Sequence, residues 1–109
     1  MHAASSREAL DGARVELEAA LRGSDAPSTV GATVGGELLA VADTVSDNRA
    51  LRAALADSAI APDERAGVAE RVLSGKVHDL TRQTVASAAA RHWSNDADLV
   101  AGLQSLGRE

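Results

Sequence analysis

Apolar residues recur at intervals of three and four along almost the whole chain, and polar punctuation cuts the pattern into six pieces. Leu10, Ala13, Leu17 and Leu21 fall on one face of a first helix, about Ser6 to Arg22. Ser5 and Glu8 have the Ser-x-x-Glu spacing of a capping box, and Gly23 is a plausible stop. Ser24 to Ser28 reads as a linker. A second helix begins near Ser28 or Thr29 and runs to about Ser46, with Val30, Val34, Leu38, Val41 and Val45 as its stripe. Gly31, Gly35 and Gly36 each weaken its first half by up to ~1 kcal/mol relative to alanine, so that end is expected to fray or start late.

Asp47-Asn48 breaks the pattern before a short third helix, about Asn48 to Asp57, with Leu51 and Leu55 facing inward. Pro62 opens a fourth helix, followed by Asp63 and Glu64 near the positive end of the helix dipole. Val68, Val72 and Leu73 are its buried candidates, and Ser74-Gly75 ends it. A fifth helix runs from about Val77 or Asp79 to Trp93, with Leu80, Thr84, Val85, Ala88, Ala89 and His92 along its face. Ser94-Asn95-Asp96 breaks it. A sixth helix covers about Asp96 to Leu106, with Leu99, Val100, Leu103 and Leu106 apolar. The pattern predicts an all-α chain: one compact six-helix bundle over residues 1–109.

Composition narrows the packing. There is no Phe or Tyr and one tryptophan, Trp93, so the core must be built from Leu, Val and Ala. A lone Trp in an apolar stretch is expected to pack the bundle rather than stack on a ligand. The formal net charge of −5, with no basic run, argues against a nucleic-acid partner. Zero cysteine removes disulfides, thiolate-bound zinc and thiol catalysis. No apolar stretch approaches the ~20 residues of a membrane span, so no direct membrane insertion is expected.

Catalytic and cofactor chemistry find no constellation. His2, His78 and His92 stand in no metal-binding spacing, and His78-Asp79 reads as a solvated helix start rather than a base with its orienter. The glycine-rich run from Gly31 to Gly36 lacks the Gly-Lys-Ser/Thr ending of a phosphate loop, and Ser74-Gly75-Lys76 reads as a helix end. Asp57, Asp63 and Glu64 match no calcium loop. No cofactor, metal or catalytic residue is expected.

Four segments, in order, resemble the N-terminal domain of the ATP synthase delta subunit, the oligomycin-sensitivity-conferring protein family. They are Ser6–Leu10, Val45–Leu55, Ile60–Arg65 and Arg91–Ser94 followed by Asp98-Leu99-Val100, the last similar to actinobacterial members. The chain departs from the family pattern at Ala9, where an aromatic is common, at Ser58-Ala59 in place of Ser-Pro, and at Ala90–Trp93 in place of Glu-Asn-Gly-Arg. The resemblance implies a six-helix bundle without the family's C-terminal domain, either excised or part of a longer chain such as a b-delta fusion.

The resemblance also implies a non-catalytic stator adaptor on the cytoplasmic face of the plasma membrane. The domain would bind the N-terminal helix of an alpha subunit, and the missing C-terminal part would contact the b-subunit stalk. The family's groove lies between helices one and five. Carried onto this chain it comprises Ala9, Gly12, Ala13 and Glu16, with Gln83, Ala86, Ser87 and Ala90 opposite. Helix-in-groove binding suits small residues, which let an incoming backbone come close. Two other readings remain: an unrelated acidic bundle acting as an interaction module, which four long up-and-down helices would favour, and a small enzyme, which a pocket on His78 or His92 would favour.

Overall fold

Among the described residues there are six α-helices: α1 Ala4–Arg22, α2 Pro27–Asp47, α3 Arg49–Ala56, α4 Pro62–Leu73, α5 Asp79–Ala90 and α6 Asp96–Arg108. The structure, a computed structural model, describes residues 4–23, 27–57, 59–93 and 95–108, with no strand among them. α3 and α4 are short, at 8 and 12 residues, so the bundle is not one of four long up-and-down helices.

The punctuation works as local chemistry. Asn48 Oδ1 accepts the Leu51 amide at 3.0 Å, which makes Asn48 the N-cap of α3. Asn95 Oδ1 accepts the Asp98 amide at 2.8 Å and starts α6 in the same way. Ala61 offers α4 no side-chain cap, and Pro62 opens its first turn. After α4, Ser74 at φ −56°, ψ 126° and Gly75 at φ +74° make a type II turn, closed by the Lys76 amide on the Leu73 carbonyl at 3.0 Å. Glycine is needed there because the second central residue must take positive φ.

Several boundaries differ from expectation. α1 begins at Ala4, so Ser5 lies inside the helix rather than before it; its side chain falls outside the described residues, as does the Ser24–Ala26 linker. α2 is one unbroken helix of 21 residues, neither frayed nor late. Packing overrides the glycine penalty. α2 lies against α6, and a Cβ on Gly35 would sit 2.8 Å from the Gly107 carbonyl oxygen. The bare backbones are what let the two helices meet. α5 starts at Asp79 and stops at Ala90 rather than reaching Trp93. His92 is therefore not on its inner face but exposed beyond its end.

The core is leucine, valine and alanine. Leu38, Leu55, Leu99, Leu103, Leu106, Val34, Val45 and Val85 are fully buried, and α4 packs on α5 while α1 packs on both α5 and α6. On α4 the burial falls on Ala69 and Leu73, whereas Val68 and Val72 are only half-buried. Trp93 takes its expected core role at 4% exposure. Its indole Nε1 donates to the Ala88 carbonyl at 2.7 Å, and its ring packs on Gly102.

Candidate binding groove

α5 is held at both ends by side chains from other helices. At its start, His78 is the N-cap, and its Nδ1 accepts the Leu80 amide at 3.0 Å. Glu37 of α2 accepts the His78 amide at 3.0 and 3.2 Å and the Thr81 hydroxyl at 2.7 Å. A carboxylate at a helix N-terminus is favoured by the dipole. At its end, the last carbonyls of a helix have no internal partner. Arg65 of α4, 4% exposed, supplies one: its Nε donates to Ala89 at 2.7 Å and its Nη2 to Ala90 and Arg91 at 3.2 and 3.3 Å.

α1 lies along this fixed helix. Ala9 shares a depression with Arg91 at one end, and Ala20 shares one with Leu80 at the other, so the two helices run antiparallel. Ala9, Ala13 and Ala86 are buried between the helices and make the floor. Above them the Glu16 carboxylate spans the cleft. It accepts the Ser87 hydroxyl and pairs with Nη2 of Arg91. The Arg91 guanidinium rests on Gly12, where any Cβ would run into it. Arg91 Nε is buried without a hydrogen-bond partner among the described residues.

The bridge divides the cleft. On one side is a depression of about 90 Å³, lined by Ala13, Glu16, Ala20, Leu80, Gln83, Thr84 and Ser87. On the other is a shallower one of about 300 Å³ beside Glu8, Ala9, Arg91 and His92. All eight residues assigned from the resemblance lie on α1 and α5, but they differ in role. Three alanines are floor, Gly12 and Ala90 are half-buried, and Glu16, Gln83 and Ser87 present polar atoms at the surface.

Sequence reasoning left out Arg91, Leu80 and Thr84. Arg91 stands four positions after Ser87, the spacing that puts two side chains on one strip of a helix, and that was the available signal. Val15, 63% exposed, is the large hydrophobic that α1 leaves in solvent. The His78 ring is used in capping α5, and no three His, Asp or Glu side chains converge among the described residues. No helix among them is long and apolar enough to cross a membrane.

No protein-family model matches the chain. Individual proteins do. The chain is 45% identical over 106 residues to the ATP synthase subunit delta of Nocardia farcinica, covering 97% of this chain and 38% of that protein. It is 42% identical over 108 residues to that of Corynebacterium urealyticum, covering 99% and 39%. It is 41% identical over 108 residues to that of Rhodococcus opacus, covering 97% and 39%. The chain thus spans about two fifths of the length of the curated relatives it matches. By sequence, over nearly all of its residues, the chain is similar to the ATP synthase delta subunits.

Proposed function

We propose that this domain is a non-catalytic adaptor of the peripheral stalk of an F-type ATP synthase, and that it receives the N-terminal helix of an alpha subunit in the α1/α5 cleft. The likeness to delta subunits along nearly the whole chain carries the reading. The architecture supports it, because α5 is clamped at both ends by Glu37 and Arg65 and α1 is seated on it through alanines. A stator must bear torque, and a cleft between two fixed helices bears it better than a loop.

In this reading Ala9, Gly12, Ala13, Ala86 and Ala90 set how closely the incoming helix approaches. Glu16, Gln83 and Ser87 fix its register. The rest of the delta subunit would reach the b-subunit stalk, and the complex would hold the domain at the cytoplasmic face of the membrane. The test is a titration of the isotope-labelled domain with a peptide of the alpha-subunit N-terminus from Nocardia farcinica. Amide shifts are expected to cluster on α1 and α5. Absence of binding at high micromolar peptide overturns the reading.

A further inference from the structure

On another side of the bundle a larger opening lies between α2, α3, α4 and α5. It is a trough of about 340 Å³. Val41, Val45, Leu55, Val72 and Val85 make its walls, and Ala69 lies among them where a larger side chain would fill the space. The gap follows from composition, since a core without Phe or Tyr closes four helices around valines and alanines. Unfilled apolar walls forgo dispersion contacts, which a matching ligand restores.

The rim has three polar side chains, and two are committed. Glu37 accepts from His78 and Thr81, and the Thr44 hydroxyl donates to the Ala40 carbonyl at 3.1 Å. The third is Lys76, the chain's sole lysine. Its amide serves the type II turn after α4, while its ammonium has no hydrogen bond or ion pair among the described residues. An apolar trough with one uncommitted cation at its mouth selects an apolar body with one anionic end. Glu37 adds a negative charge to the rim, but its carboxylate is engaged by the His78 amide and the Thr81 hydroxyl.

The volume decides what kind of body fits. About 340 Å³ is at the small end of the ~300–1,000 Å³ of ligand sites. With a single lysine at its rim, the trough pairs an apolar body with one anionic head, which a single acyl chain supplies. We propose that the trough binds a free single-chain fatty acid, its tail along the valine walls and its carboxylate on Lys76.

The test is a titration of the isotope-labelled 109-residue chain with sodium decanoate up to about 1 mM, beside decanol and decyltrimethylammonium. Saturable shifts are expected at Val41, Val45, Leu55, Val72 and Val85, with α1 unmoved. Lys76→Gln, at an exposed position, should weaken decanoate about tenfold and leave decanol unchanged. Ala40→Trp, which plugs the mouth from an exposed position, should abolish the shifts of all three ligands while the circular dichroism stays helical. The proposal is overturned if no saturable shifts appear, or if decanol or the cation binds as tightly as decanoate. It is equally overturned if Lys76→Gln binds decanoate unchanged, or if only phosphatidylglycerol vesicles bind.

Discussion

Arg65 Nε donates to the Ala89 carbonyl at 2.7 Å from inside the bundle, so α5 is stopped by a cation rather than by glycine or proline. Five carbonyls take its donors, those of Asp57, Ile60, Ala89, Ala90 and Arg91, and among the described residues no carboxylate pairs with it. Arg65→Met would strand the carbonyls of Ile60, Ala89, Ala90 and Arg91, while that of Asp57 keeps the Ile60 amide, and leaving such acceptors unmet costs about 3 kcal/mol in sum. The midpoint of thermal unfolding should fall by roughly 10 °C. Arg65→Lys should lose most of the same stability, because one ammonium cannot reproduce the fork. A loss below about 1 kcal/mol in urea titrations of Arg65→Met would contradict this assignment.

Gly35 and Gly36 are neighbours in one helix with opposite expected responses to alanine. A Cβ on Gly35 would lie 2.8 Å from the Gly107 carbonyl oxygen, a backbone atom that cannot rotate away. Gly35→Ala should push α2 off α6 and destabilise by about 1–3 kcal/mol despite the gain in helix propensity. A Cβ on Gly36 meets nothing within 4 Å. Gly36→Ala should therefore stabilise by up to ~1 kcal/mol. Equal signs for the pair in chemical unfolding would refute the close-approach account of Gly35.

Trp93 packs so closely on α6 that a Cβ on Gly102 would come within 2.8 Å of its Cζ3. Gly102→Ala should displace the indole and lengthen or break its bond to the Ala88 carbonyl. Because the chain has one tryptophan, its fluorescence reads the event directly. A red-shifted emission maximum and a loss of about 1–3 kcal/mol are expected. An unshifted spectrum with native stability would mean that the ring has room to move.

The Glu16–Arg91 bridge is exposed enough that it should add little to stability. The side chains are 55% and 28% exposed, and pairs of that kind contribute about 0–1 kcal/mol. Glu16→Gln keeps an acceptor for Ser87 but releases the guanidinium. Unfolding should change by less than about 1 kcal/mol. Affinity for the alpha-subunit peptide should fall several-fold, since Glu16 helps fix the register of the incoming helix. Unchanged or tighter binding by calorimetry would show instead that the Glu16–Arg91 bridge only obstructs the cleft.

Much of the fold could be read from spacing. Asn48, Pro62 and Gly75 mark helix ends by local chemistry that needs no partner, and each does so in the structure. The misread boundaries belong to residues whose partners are distant in sequence. Gly35 counts as a helix breaker until Gly107 stands opposite it. The apolar spacing carries α5 on to Trp93, whereas in the structure Arg65, 24 residues before Ala89, takes its final carbonyls. The family resemblance placed the eight proposed groove residues on α1 and α5. It could not separate the buried alanines from the polar rim, nor bring Arg91 to Glu16, because both depend on two helices lying antiparallel.

The scarcity of lysine has a practical consequence. Ten of the eleven cationic side chains are arginine, which leaves Lys76 as the one side-chain amine. Amine-directed cross-linkers and acylating probes will therefore attach their side-chain label at the mouth of the α2–α5 trough and not on the α1/α5 cleft. A covalent tag on Lys76 can report which neighbour, if any, stands over that side of the domain in an assembled complex, while neither depression of the cleft holds a lysine to be modified.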